Sequence, residues 1–329
     1  MTTPRPGTAN HAGPSAGLPL DTYRAAVALD QPFRAAAPPA PADRLLGHIH
    51  EALGLLSGDP AVSRLGLSGD TVRKLREADF ATTRGALRAL LTVRGPGPLP
   101  DGAAAELDAL LGGERLARPL VDAGRLPSIA ETFPGTSYPA ADRTALWQGD
   151  ITTLAADAIV NAANNALLGC FVPRHACIDN AIHNAAGPRL RDDCHLIMGL
   201  QNGPEPTGTA KITRGYLLPA RYVLHTVGPI VDGPPDARHE RALASAYRAC
   251  LDVAAEVEPV RTVAFCAIST GVFGYPKAPA ARIALRTVAD WLEAHPGRLD
   301  RVVFTVFSDD DRDVYRAALA SGAVRTRQP

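Results

Sequence analysis

From about residue 143 onward, short apolar runs rich in β-branched residues alternate with longer helical stretches, and few folds accommodate that alternation. The runs are "TALWQGDITTL", "DAIVNAAN", "ARYVLHTVGPI", "RTVAFCAIST" and "DRVVFTVFSD". Between them stand "CIDNAIHNAAGPRLRDDCHLIM", "ARHERALASAYRACLDVAAE" and "APAARIALRTVADWLEAH". Strands alternating with helices predict an α/β layered domain with a mixed, largely parallel sheet. Ligands of such sheets bind at loops beyond the carboxyl ends of the strands. Functional residues are therefore sought where a strand ends.

The part of the chain before this pattern reads differently. Residues 1–41 are rich in Pro, Ala, Gly and Thr and are expected to be a disordered tail, with too little apolar surface to offset the entropy of ordering. A small all-helical unit is expected over 42–140. In "PADRLLGHIHEALGLL", Asp43 is placed to cap a helix whose stripe is Leu45, Leu46, Ile49, Leu53 and Leu56. "TTRGALRALLTVRGPGP" repeats the pattern with Leu87, Leu90 and Leu91 and stops at Gly95-Pro96, and "AAAELDALLGGERL" supplies a third helix. The α/β domain is expected over 141–325. No internal repeat is visible.

Composition narrows the function classes. The net charge is +0, which argues against a broad electrostatic grip on nucleic acid or on an anionic membrane. No apolar run is long enough to span a bilayer, and the first residues lack the apolar core of a secretory signal. Five cysteines, an odd number thinly spread, do not resemble a disulfide framework. The expected compartment is the cytoplasm.

Three strand-end loops carry chemistry. "QGDIT" holds Asp150, able to accept from an amino group such as that of adenine, although from this motif alone a turn or cap aspartate is favoured. "NAANNALLGCFVPRH" clusters Asn161, Asn164 and Asn165, whose amides suit sugar hydroxyls or simply satisfy loop backbone. "STGVFGYP" runs from Ser269 through Thr270, Gly271, Val272, Phe273 and Gly274 to Tyr275 and Pro276. Gly271 and Gly274 permit positive φ and close backbone approach, so strand, loop and helix together form a cradle for an anion such as phosphate. Phe273 and Tyr275 either cover a sugar or cap the core.

The second loop continues into C-x4-H-x-C: Cys170, His175 and Cys177. Two thiolates and an imidazole suit zinc, and three protein ligands leave a fourth tetrahedral position open. Cys194 and His195 are the candidates for a fourth ligand, although their place on a helix favours packing or surface roles, and Arg174 would favour thiolates. A disulfide, a thiol nucleophile and coincidence are the competing readings; the spacing favours zinc. Cys250 and Cys266 read as core residues.

Taken together, "GDIT", "DAIVNAAN" and "STGVFGYP", in that order, resemble the macrodomain family, an ADP-ribose-binding three-layer α/β/α fold. "LLGCFVPRHAC", followed by "CIDNAIHNAAG", resembles the zinc-dependent macrodomains that act as protein-ADP-ribose hydrolases and carry a helical N-terminal extension. The resemblance implies one Zn2+ per chain on Cys170, His175 and Cys177. It implies that Asp150, with Ile151 beside it, binds the adenine amino group. Asn164 would hold the ribose next to the scissile bond, and Ser269 through Tyr275 would wrap the pyrophosphate. Asp179 would orient the attacking water or act as base. The implied partners are ADP-ribose and a mono-ADP-ribosylated protein, with no nucleic acid and no membrane, and the implied linkage is an ester to Asp or Glu. Two alternatives stand beside this one: a non-catalytic ADP-ribose-binding module, and a hydrolase of small derivatives such as O-acetyl-ADP-ribose.

Overall fold

The structure, a computed structural model, describes residues 17–321. One six-stranded sheet organises it: β1 (Thr144–Gln148), β2 (Ala158–Ala162), β3 (Ala210–Arg214), β4 (Tyr222–Thr226), β5 (Thr262–Phe265) and β6 (Arg301–Val306). Their spatial order is β1-β6-β5-β2-β4-β3. Every neighbouring pair is parallel except β3 with β4. Successive residues of β2 (Ala158 to Asn161) and β6 (Val302 to Val306) are all buried. Since neighbours on a strand point to opposite faces, both faces of the sheet are covered, which makes three layers. The expected α/β/α architecture is the one found.

Three principal helices precede the sheet: α1 (Leu45–Leu55), α2 (Phe80–Val93) and α3 (Ala103–Leu116). Five are interleaved with the strands: α4 (Ile178–Ala186), α5 (Arg189–Gln201), α6 (Ala237–Ala255), α7 (Lys277–Ala294) and α8 (Asp309–Ala320). Leu45, Ile49, Leu53 and Leu56 are buried with Leu87, Leu90 and Leu110 in a core separate from that of the sheet. Asp43 does not cap α1. A 3-10 turn over Ala42–Arg44 runs straight into the helix, so the cap position falls to Arg44, whose side chain makes no capping bond.

The tail is a second correction. Residues 1–16 lie outside the described residues, but the expected disorder does not extend to residue 41. Leu20, Tyr23, Val27 and Leu29 are buried in the sheet's core. Tyr23 Oη accepts from the backbone N–H of Ile212 on the edge strand β3 at 3.0 Å. An edge strand offers unpaired backbone groups, and this segment covers them with a hydroxyl and apolar side chains. The switch between the two cores also falls earlier than residue 140, because Ala123, Ile129, Tyr138 and Ala140 already pack with the sheet.

The helical unit docks on α4 and α5, the helices that follow the Cys/His loop. Arg189 Nη1 donates to the buried Asp108 of α3 at 2.5 Å. Arg191 donates to the backbone carbonyls of Leu91 (2.9 Å) and Leu168 (2.7 Å). Asp192 Oδ1 accepts from Gly97 N at 2.8 Å. The bond to Leu91 satisfies a carbonyl at the end of α2 that would otherwise be orphaned on burial.

Candidate active site

Because β1, β2, β4, β5 and β6 run parallel, their carboxyl ends lie along one side of the sheet, and the three loops gather there. The β1 end is tied to the β6 end by Gly149 N donating to Val306 O at 2.9 Å. Asp150 follows at once, and Phe307, the residue directly after β6, is 77% exposed. Asp150 Oδ1 accepts from Thr152 N (2.9 Å) and Thr152 Oγ1 (2.7 Å), so the cap role favoured from the motif is real. Burial raises its carboxyl, but the Thr152 bonds and Arg118 outweigh that and hold it below the usual carboxylate range. Ile151 is buried behind it.

At the end of β2 the asparagines divide their work. Asn164 Nδ2 donates to Gly169 O (3.0 Å) and its Oδ1 accepts from Ala166 N (3.0 Å), which pins the base of the loop just before Cys170. Asn165 is exposed. Asn161 is fully buried, and its Nδ2 reaches Asp179 Oδ1 (2.8 Å) and His225 Nδ1 (3.2 Å).

The Cys/His loop returns on itself before α4. Cys170 Sγ lies 3.3 Å from His175 Nδ1. Cys177 is the N-cap of α4, its Sγ accepting from Asn180 N at 3.4 Å. Ligand atoms of Cys170, His175 and Cys177 all lie within 4.8 Å of one another. Zinc bonds of about 2.3 Å to sulfur and about 2.0 Å to nitrogen place tetrahedral S and N ligands roughly 3.5 Å apart. The three residues therefore fit zinc, and each is only half-buried, leaving an open side. Burial, Cys170 and Asp179 push the Cys177 thiol up to about 11, against the pull of the Asn180 N–H. That net direction is opposite to the thiolate-favouring one expected from Arg174. A metal would have to displace the protons itself.

Neither Cys194 nor His195 joins this cluster, in keeping with the packing and surface roles favoured for them: His195 is exposed, and Cys194 is fully buried in a separate group with His183 and His225. There the hydrogen bonds assign a neutral His225. Its Nδ1 accepts from Asn161, so Nε2 carries the proton and donates to Thr213 Oγ1 at 2.9 Å. Burial drives the His225 imidazole down to about 3. Asp179 is likewise buried, and desolvation pushes its carboxyl up to about 6 although the Asn161 bond and Arg191 pull the other way. His183 Nε2 stands 3.5 Å from it. Cys250 and Cys266 are buried core residues.

The loop after β5 is a tight crossing. Gly274 has φ +70°, but Gly271 does not adopt positive φ; Ser269 does, at +65°. Tyr275 N donates to Ser269 O (2.9 Å) and Gly274 N to Gly271 O (3.0 Å). No protein acceptor meets the N–H groups of Gly271, Val272 and Phe273 among the described residues. Gly271, Val272 and Gly274 are exposed, Thr270 and Phe273 half-buried. Tyr275 is 1% exposed and belongs to the core rather than to a sugar site. Gly228, after β4, passes so close that a Cβ there would lie 2.1 Å from Ser269 Oγ.

A Macro domain family profile matches residues 160–284. The crystal structure of the Trypanosoma brucei macrodomain in complex with ADP-ribose is 39% identical, with a TM-score of 0.52, over 61% of this chain and 77% of that one. This chain belongs to the macrodomain family. Two curated relatives of the macrodomain, each named protein-ADP-ribose hydrolase, come from Treponema medium (52% identical over 175 residues) and Staphylococcus aureus strain MRSA252 (49% over 178). The matches cover 53% and 54% of this chain and 66% of each relative, just short of two thirds of their length. Three features near this candidate site were not assigned from sequence: Arg118, Phe307, and the Asn161–His225 pair. Phe307 leaves a local trace, an aromatic residue directly beyond a strand end, and Asn161 stands in the strand-end asparagine cluster, but neither its partner His225 nor Arg118 carries such a signal.

Proposed function

We propose that this macrodomain is a zinc-dependent protein-ADP-ribose hydrolase that removes mono-ADP-ribose from modified protein side chains. The observation that carries the reading is the convergence of Cys170, His175 and Cys177 at the same sheet end as Asp150 and the 269–275 loop. A module that only recognised ADP-ribose would have no use for a half-open thiol–imidazole trio there. The names of the curated relatives support hydrolysis.

In this reading each residue has a defined task. Asp150 accepts from the adenine amino group, and the exposed ring of Phe307 stacks on the base. The unpartnered N–H groups of Gly271, Val272 and Phe273 receive the pyrophosphate oxygens, so a neutral protein binds an anion by backbone geometry. Asn164, with one amide hydrogen left over, fixes the ribose beside the scissile bond. Cys170, His175 and Cys177 hold the zinc, which supplies Lewis acidity toward a ribose hydroxyl or a water. Asp179 orients the attacking water and takes its proton. Remote contacts to adenosine and pyrophosphate bring the reacting ribose to this group of residues. The linkage cleaved is an ester to Asp or Glu. Free thiols at a metal site suit a reducing compartment, and the cytoplasm is our proposed location. Among the described residues no helix is long and apolar enough to cross a membrane.

The deciding experiment follows ADP-ribose release from mono-ADP-ribosylated protein by mass spectrometry, before and after chelation. Release that chelation stops and zinc restores supports the reading. Binding of ADP-ribose without release from Asp/Glu-, Ser- or Arg-linked substrates would make the protein a recognition module.

A further inference from the structure

The helical unit reaches the nucleotide end of the site through one side chain. Arg118 lies just beyond α3, and its Nη2 donates to Asp150 Oδ2 at 2.5 Å while Nη1 donates to Thr152 Oγ1 at 3.1 Å. The two bonds from Thr152 use both lone pairs of Asp150 Oδ1. Oδ2 takes one bond from Arg118 and keeps a lone pair. Two of the five guanidinium N–H groups are spent here, and three remain.

The side chains of this pair are 41% and 39% exposed. An ion pair so open to water contributes little to stability. What it does create is an edge. An acceptor, the free lone pair of Oδ2, sits beside the remaining donors of a planar, pre-organised guanidinium. Adenine offers the complement, an amino donor beside a ring-nitrogen acceptor. Hypoxanthine replaces that amino group with a carbonyl, which would face the carboxylate oxygen with like polarity. Arg118 and Thr152 also line an open crevice between the helical unit and the sheet domain, with Leu111, Arg115, Leu120 and Pro219.

We propose that Arg118 is a specificity-determining residue, forming with Asp150 a composite acceptor–donor edge that selects adenine. The inference rests on Asp150 being the base contact, as in the proposed function. It gives the helical unit a direct part in ligand choice, with a residue outside the segment matched by the family profile completing the site.

ADP and IDP, which differ only at the base, are titrated calorimetrically into the wild type and into Arg118→Ala, Arg118→Lys and Asp150→Asn. The wild type is expected to prefer ADP. Arg118→Ala should weaken ADP binding about tenfold, the scale of one charged hydrogen bond, and leave IDP binding nearly unchanged. Arg118→Lys should restore only part of the preference, because an ammonium lacks the planar fork. An unchanged or equal loss for both nucleotides in Arg118→Ala, with the preference collapsing in Asp150→Asn, overturns the role of Arg118 and leaves the site reading standing. Unchanged ADP binding in Asp150→Asn overturns the base-contact reading, and this inference with it.

Discussion

The carboxylate of Asp179 is held by the side-chain amide of Asn161, Nδ2 to Oδ1 at 2.8 Å, in the interior of the protein. The second amide hydrogen goes to His225 Nδ1. Asn161 is thus the junction between the candidate water-orienting carboxylate and a neutral imidazole on the next strand, where β2 and β4 bring Asn161 and His225 into register.

Replacing that junction should expose its role. Asn161→Ala leaves Asp179 and His225 buried without this donor, which should cost about 1–3 kcal/mol of stability. Denaturant unfolding measures that. Turnover should fall much further than ADP-ribose affinity, because the contacts assigned to the nucleotide are elsewhere; a Kd that weakens in step with kcat would contradict the assignment.

The proposed zinc site on the Cys/His loop can be tested directly. Elemental analysis of the purified protein is expected to find one zinc per chain, and none in Cys177→Ala. The variant should retain ADP-ribose binding and lose turnover. Its melting temperature should change little, because Cys170, His175 and Cys177 belong to none of the buried apolar clusters; a collapse of the fold on chelation would make the zinc structural.

Stability should fall as pH rises through about 6. Asp193 accepts from Tyr216 Oη at 2.5 Å, and burial pushes its carboxyl from an ordinary 3.8 up to about 6 despite that bond. A raised carboxyl binds its proton more tightly in the folded state. Its contribution is therefore fully present below about pH 4 and lost above about pH 6, and is at most about 3 kcal/mol. Asp179 shifts in the same direction. Asp193→Asn should reduce the slope of stability against pH across this window, measured by denaturant midpoints from pH 4 to 7.5.

Gly228→Ala tests the close crossing beneath the 269–275 loop. Its Cβ would lie 2.1 Å from Ser269 Oγ and 2.6 Å from Ile268 Cγ2, so the loop must shift. Overpacking of this kind costs about 1–3 kcal/mol. Isothermal titration should also show ADP-ribose binding weakened at least tenfold, a consequence of misplacing the N–H groups of Gly271, Val272 and Phe273.

Much of the fold was legible because it rests on local periodicity. Leu87, Leu90 and Leu91 share one face of a helix whatever they pack against, and the β-branched runs of β5 and β6 can be buried on both sides only in a layered α/β fold. The C-x4-H-x-C spacing was equally local, since seven or eight residues of one turn suffice to gather its donors. Less visible were the limits of the tail, where Tyr23 finds its partner in Ile212, and the conformation of the 269–275 loop, where Ser269 rather than Gly271 takes the left-handed backbone.

The sequence by itself determined the alternation of strands and helices, the sheet end to search for a ligand, and the close spacing of the candidate ligands Cys170, His175 and Cys177. Only the tertiary structure decided that Asn161 joins Asp179 to His225 and that Arg118 joins the helical unit to Asp150. These partners are separated by 18 to 64 positions, and no helical or strand period relates them. Their contact follows from strand register and from the docking of α3, which are set by burying two cores against each other and leave no trace in the spacing of residues along the chain.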